Sequence, residues 1–471
     1  VNEREKDAVI QRIITALNEV QILRAAMESV RPAETARAIQ ILKAVIANAH
    51  PAEIAQAIRY LDPEDQEQVV GLLSPEESGE VLLALRNVDE GAGIELAEEL
   101  DSDELSEMLN VMEPDDAADV VADLREEDAA EVLELMEDEE SREVQELLRH
   151  PEEAAGGVMT SEFTALRGRM TADEALQYLR EHPPGRQIFY IYVTGEENEL
   201  LGTVSIDRLI TEGPHRKLGD MAVPSFISVT PDTDREEAAM LMTQYNIVAL
   251  PVVDERKRLL GVITIDDAMD VLQDEATEDI YKLAGTSDDE LLSRSAFKVA
   301  QIRLPWLFIC LAGSLFSGFV IHLFSGTISQ AIAIASFIPA IMAMGGNTGL
   351  QSSTATVRGI ATGYISLSRV AGVIFKEIRT ALLMGISCGV VMACAAFLWK
   401  GGQTILGLVV GLSIFLAVSL SATMGVLIPI IFKRMNVDPA VASGPLITMI
   451  NDITGLLVYL TLATLLISRL T

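Results

Sequence analysis

Beyond Arg303 the chain holds five apolar stretches, near 304–324, 328–346, 378–399, 404–432 and 440–468. Each is long enough to cross a hydrocarbon layer about 30 Å thick as a helix. No other feature constrains the fold as tightly, because a backbone in lipid must satisfy its own polar groups. The sequence therefore predicts a membrane protein with five helical spans.

Charge divides the chain at the same place. Of the 70 acidic residues, 67 fall in the first 296 positions with 25 of the 35 basic ones, and only Glu377, Asp438 and Asp452 are acidic beyond. The first part therefore carries a net charge of −42, against +7 for the rest. So negative a field argues against a nucleic-acid partner. It also repels itself and holds the soluble part open unless cations neutralise it, although a solvated surface would carry the same charge. Loop charge sets the expected orientation. With the N-terminal part inside, the first and third loops (325–327 and 400–403) carry only Lys400; the second and fourth hold Arg358, Arg369, Lys376, Arg379, Lys433 and Arg434. That is the positive-inside pattern of a multi-pass plasma (inner) membrane protein, and the odd number of spans puts the C-terminus on the extracytoplasmic side. The N-terminus is charged and amphipathic, without the pattern of a cleavable signal. Cys310, Cys388 and Cys394 lie in apolar segments, as packing residues rather than a disulfide framework or zinc site.

Residues 1–150 repeat a helix-start punctuation, in "LDPEDQEQVVGLL", "LSPEESGEVLLAL", "MEPDDAADVVADL" and "LREEDAAEVLELM". Asp, Ser or Pro with acids ahead of an i, i+3, i+4 apolar stripe suits a helix N-terminus and its dipole. Short stacked helices forming an all-α superhelix are predicted. From about 157 a strand–helix pattern occurs twice: "GVMTSEFTAL" and "GDMAVPSFISV" open the copies, and "LLGTVSIDRLI" and "LLGVITIDDAM" close them. This resembles a tandem pair of CBS domains, small α/β modules, here 151–213 and 214–274. In that family a Ser/Thr-x-x-Asp after the last strand contacts the ribose of an adenine nucleotide such as ATP. The second copy keeps it as Thr264 and Asp267; the first has Arg208 in place of the acid.

Asp452, in "PLITMINDITGLLVYL", is predicted to be the one acid deep within a span. Intramembrane carboxylates are functional by default, since burying one costs several kcal/mol. Gly444, Thr448, Asn451, Asp452, Gly455 and Tyr459 share a helix face, a stripe that either lines a hydrated path or packs against a neighbouring Ser or Thr. In "FIPAIMAMGGNTGLQSSTATVRGIATG", Pro339, Gly345, Gly346 and Gly349 are expected to loosen the helix, with Asn347, Gln351, Ser352 and Ser353 adding oxygens; a packing kink is the bland alternative. Hard oxygen donors without His or Cys suit Mg²⁺ and disfavour Zn²⁺ or Cu⁺. One acid per chain is too few for a dehydrating cage; if the protein is a dimer about a central pore, two copies of Asp452 would bind a hydrated ion together.

The segment "IDDAMDVLQDEATEDIYKL" places Asp267, Asp270, Asp274 and Glu278 three and four residues apart, with Glu275 and Asp279 alongside. Like charges so spaced destabilise a helix by about 0.2–0.5 kcal/mol per pair, a penalty that bound cations would remove; otherwise the ladder is a solvated face. After Gly285, "SDDELLSRSAFKVAQIR" reads as a further helix with Leu291, Leu292, Phe297, Val299 and Ile302 apolar and Arg294, Lys298 and Arg303 basic. It is expected to lie on the membrane surface until Pro305 turns the chain inward.

This order of parts, with "GGNTGLQSSTATVRGIATG", "NVDPAVASGPLITMINDITGLLVYL" and "DEATEDIYKL", resembles the MgtE family of bacterial magnesium channels. The resemblance implies a homodimer in the lipid bilayer, with a pore between subunits where Asp452 binds hydrated Mg²⁺ and Gly345, Gly346, Asn347, Thr448 and Asn451 line the way. It also implies regulatory Mg²⁺ on Asp267, Asp270, Glu275, Glu278 and Asp279. High internal Mg²⁺ would hold a connecting helix (275–303) against the pore domain (304–471) and close it. The alternatives are a carrier or exchanger for Co²⁺ or Mn²⁺, and a membrane-anchored enzyme with a CBS regulator. Against the enzyme, His50, His150, His182, His215 and His322 are scattered and no nucleophile–base motif appears.

Overall fold

The computed structural model describes residues 8–18, 32–59, 61–184, 188–223, 227–287, 290, 295–365, 370–399, 404–435, 437–441 and 444–466. The chain divides into two compact units, Val1–Leu272 and Gln273–Thr471.

The first unit opens as a stack of short helices. Pro51–Ile58, Pro63–Val70, Pro75–Val88 and Pro114–Asp123 each begin on a proline, whose missing N–H would be unpaired there anyway. Ser74 and Glu77 close a capping box, and the Asp89 side chain accepts the Ala92 N–H. Most of these helices pack against the next but one, which winds the stack into a superhelix. A repeated device ties successive helices: Gln66, Ser78 and Ser141 each donate a side-chain hydrogen bond to the carbonyl eight residues earlier, Ile58, Val70 and Leu133.

Two α/β modules follow. In the first, the strand Ala165–Arg167 pairs in parallel with Tyr190–Thr194, which pairs antiparallel with Leu200–Ser205. In the second, Ala249–Val253 pairs antiparallel with Leu259–Thr264. The irregularity at Val193/Thr194 recurs at Val252/Val253, so the doubling extends to a local fault in register. Tyr192 and Leu200 of one copy bury against Val253 and Val262 of the other.

Among the described residues the second unit contains five helices long and apolar enough to cross a membrane: Ala296–Leu323, Ile332–Ala361, Val370–Trp399, Thr404–Arg434 and Pro445–Leu465. Three expectations need correction. Where a surface helix was expected to turn inward at Pro305, one helix runs through that proline from Ala296 to Leu323, as helices at membrane depth tolerate when neighbours satisfy the freed carbonyl. Nor do Gly345, Gly346 and Gly349 loosen the second span. It is α-helical from Ile338 to Ala361 with Pro339 in its first turn, and the irregular backbone lies earlier, in the 3-10 turn Ile332–Phe337. The glycines serve close packing instead. Finally, the third helix starts at Val370, so Glu377 lies within it. Leu291, Leu292, Arg294, Arg369 and Lys400 lie outside the described residues.

Candidate metal centre

The second, fourth and fifth spans meet through glycines. A Cβ at Gly345 would stand 3.3 Å from Ser421 Oγ, and one at Gly425 would stand 2.5 Å from the Gly349 carbonyl oxygen. A Cβ at Gly346 would stand 3.1 Å from Thr448 Cγ2 and 3.4 Å from Asp452 Oδ1. The fifth helix thus lays its Thr448 and Asp452 directly on the bare backbone of the second. Asp452 is half-buried. Among the described residues no donor or charged group acts on its carboxylate. Asn451 is buried and wedged against Gly349, its Nδ2 without a partner among the described residues.

Asn347, Gln351 and Thr354 are exposed along one side of the second span, a polar stripe at steps of four and three on an apolar helix. Glu377, which the span boundaries read from sequence had left outside the third helix, accepts a hydrogen bond from the buried Ser352 at 2.5 Å.

A second acidic centre lies in the first unit. The helix Pro114–Asp123 turns Asp115, Asp116 and Asp119 toward Asp267, at the start of the helix Ile265–Ala284. Asp115 is buried, and its Oδ1 has no hydrogen-bond partner among the described residues. Burial pushes its carboxyl well up, and Asp267, Asp116 and Glu113 add to the shift. Asp116 is raised to about 7, first by burial and then by Asp267. Asp119, at the exposed rim, is raised to about 6, again by burial first, with Arg86 opposing. Asp267 accepts hydrogen bonds from the Thr264 backbone N–H, at 3.2 Å, and from its hydroxyl. The two residues read as a ribose contact thus cap a helix together.

These three N-terminal aspartates were not singled out from the sequence. Their signal was the "EPDDAAD" of one helix start, alike in kind to its repeats; only packing shows which repeat meets Asp267. The acid ladder of the connecting segment is likewise distributed. Asp270 lies at the surface, where partial desolvation and then Asp266 raise its carboxyl. Glu278 and Asp279 belong to the second unit, where Asp279 is raised to about 6 by burial and then by Asp438. Among the described residues no three His, Cys, Asp or Glu side chains are arranged to hold one metal ion directly.

A family described as divalent cation transporter matches residues 338–462, the MgtE intracellular N domain matches 49–153, and the CBS domain matches 155–214 and 218–274. The magnesium transporter MgtE of Thermus thermophilus is 38% identical over 322 residues, which cover 68% of this chain and 71% of that protein. That of Bacillus subtilis is 37% identical over 322 residues, with the same coverage. A solved structure of the soluble part of a magnesium transporter aligns at 27% identity over 55% of this chain and 99% of that one, with a TM-score of 0.47. Five apolar spans, a helical domain and paired CBS modules together define a multi-pass membrane protein of the divalent-cation transporter class. The chain belongs to the MgtE family. The relatives that match over two thirds of this chain are named as magnesium transporters.

Proposed function

We propose that this protein carries Mg²⁺ into the cell through a pore formed by two copies of the chain, and that internal Mg²⁺ closes that pore. The carrying observation is Asp452, a carboxylate within a span, set on the bare backbone of Gly346, with no donor or charge acting on it among the described residues. Such a group must meet water, an ion or another subunit rather than lipid. The exposed Asn347, Gln351 and Thr354 favour the same placement, since a polar stripe on a spanning helix also avoids lipid. Asn347 and Thr448 are assigned to the walls of the path, whereas Gly345, Gly346 and Asn451, expected from the sequence to line it, are buried where the helices that form those walls pack together. Two Asp452 carboxylates facing each other would hold Mg²⁺ with most of its waters retained, as that ion prefers.

Regulation is assigned to the acids outside the spans. Asp115, Asp116, Asp119 and Asp267 fit a divalent cation: their donors are all oxygen, Asp115 keeps an unpartnered buried oxygen, and burial disfavours the ionised forms of Asp115, Asp116 and Asp119 unless positive charge arrives. With no three of them converging, an ion here would be held by one or two carboxylates and its waters. Asp270, Glu275, Glu278 and Asp279 are assigned to the same sensing role. Binding shifts the equilibrium only by favouring the closed state over the open one. ATP in the second CBS module, at Thr264 and Asp267, is a secondary assignment. The domains are assigned as 1–150, 151–213, 214–274, 275–303 and 304–471, with the N-terminus cytoplasmic and the C-terminus extracytoplasmic.

The test is flux into liposomes holding the purified chain with internal Mg²⁺ varied. Saturating flux at low internal Mg²⁺ that shuts off as the ion rises is expected. Flux indifferent to internal Mg²⁺ would remove the regulatory half of the reading, and exchange locked one-for-one to a counter-ion would replace channel by carrier.

A further inference from the structure

One lysine fastens the end of the helix Ile265–Ala284 to the approach to the fifth span. Lys282 Nζ donates to Asp438 Oδ2 at 2.7 Å and also pairs with Glu278, one turn back on its own helix. Asp438 is itself held in place, because its Oδ1 accepts the Ala440 N–H at 2.8 Å in the segment that leads to Pro445. Backbone contact reinforces the ion pair. A Cβ at Gly444 would strike the carbonyl oxygen of Leu283. One at Gly285, where φ is +76°, would stand 2.8 Å from Pro445 Cγ and 3.6 Å from Trp306 Cβ. Neither contact leaves room for a side chain.

The ammonium also offsets a local crowd of negative charge. Asp279 feels Asp438 and Glu275 as repulsion and Lys282 and Arg358 as relief. Lys282 is drawn to Asp438 and Glu278 strongly enough that its own ammonium is held more firmly than usual, despite partial burial. Removing the ammonium would leave Glu278, Asp279 and Asp438 facing one another, and like charges would then push the helix end from the loop.

We propose that Lys282 is a positioning residue for closure: seated between Glu278 and Asp438, it latches the end of the helix Ile265–Ala284 to the segment entering the fifth span and so couples it to the helix that carries Asp452. This rests on the transport reading above. Displacement of the connecting helix then passes to the Asp452 helix through a fixed charge that is part of the chain. Without the latch, conduction persists at low internal Mg²⁺ but closure loses its coupling.

The experiment uses the full chain in liposomes, with Lys282→Met, which keeps the stem and removes the charge, with Asp438→Asn, which keeps an acceptor for the Ala440 N–H, and with Lys282→Arg, which keeps the charge. Both neutralising variants should keep flux at low internal Mg²⁺ and raise the internal Mg²⁺ for half-closure at least about fivefold, the lower end of usual allosteric couplings. Lys282→Arg should keep the midpoint close to wild type. An unchanged midpoint in both neutralising variants overturns the proposal, and so does an equal shift in Lys282→Arg. Hydrogen exchange of the segment 437–441 gives a readout independent of transport. It should quicken in Lys282→Met and stay slow in Lys282→Arg; protection equal to wild type in Lys282→Met overturns the latch. Absence of any Mg²⁺ flux in the wild type would instead overturn the transport reading, with hydrogen exchange still deciding the latch.

Discussion

Asn451 occupies the notch that Gly349 leaves in the second span: a Cβ at 349 would coincide with the Asn451 side-chain amide. Because successive residues on a helix point about 100° apart, seating Asn451 in that notch turns Asp452 toward Gly346. The register of one buried amide thus sets the direction of the intramembrane carboxylate.

Gly349→Ala should therefore destabilise the membrane unit by about 1–3 kcal/mol, the usual cost of overpacking a tight core. Pairing it with Asn451→Ala should recover much of the loss by removing the obstructing amide. Thermal unfolding of the single and double variants in detergent measures both, and additive losses would show that the two residues do not share the site.

Asp452→Asn keeps shape but loses the charge that attracts a hydrated divalent ion. A charge-assisted contact is worth about 1.5–3 kcal/mol, so Mg²⁺ flux should fall about ten- to a hundredfold while insertion and assembly persist. Liposome flux measured alongside size-exclusion elution checks both halves. Undiminished flux would leave Asp452 with a packing role.

The acids of the first unit carry a pH dependence whose sign follows from their raised carboxyls. Asp116 at about 7 and Asp119 at about 6 bind protons more tightly in the packed state than when exposed. Packing of their helix beside Asp267 is therefore fully favoured below the ordinary carboxyl range and is lost progressively as pH rises through about 7. In Mg²⁺-free buffer, limited proteolysis should cut the soluble part faster at about pH 8 than at about pH 5.5. Mg²⁺ should abolish most of that difference, and its apparent affinity should weaken below pH 7 as protons compete.

Asp267→Asn removes one repulsive charge and one ion ligand at once. Loss of repulsion favours closure, whereas loss of bridging favours opening, and the strong attraction of carboxylates for a divalent ion makes bridging the larger effect. The variant should stay open at internal Mg²⁺ that shuts the wild type. Closure at the same concentration would confine Asp267 to capping its helix with Thr264.

Much of the architecture was legible in order of residues. Apolar runs long enough to span, proline and acids at helix starts, and a doubled strand–helix pattern are local signals, and lipid and backbone hydrogen bonding leave such segments few conformations. Asp452 stood out for the same reason, since a carboxylate in an apolar run carries its cost wherever the helix packs. Tertiary structure alone decided which of several similar helix starts brings Asp115, Asp116 and Asp119 to Asp267, and that Gly345, Gly346 and Gly349 admit neighbouring helices instead of breaking their own. It alone joined Ser352 to Glu377 and Lys282 to Asp438, 156 positions apart. A repeat's sequence does not encode its neighbour, and a glycine's spacing does not say whether the space it leaves goes to backbone motion or to another chain segment. Both are settled only when distant residues compete for the same volume.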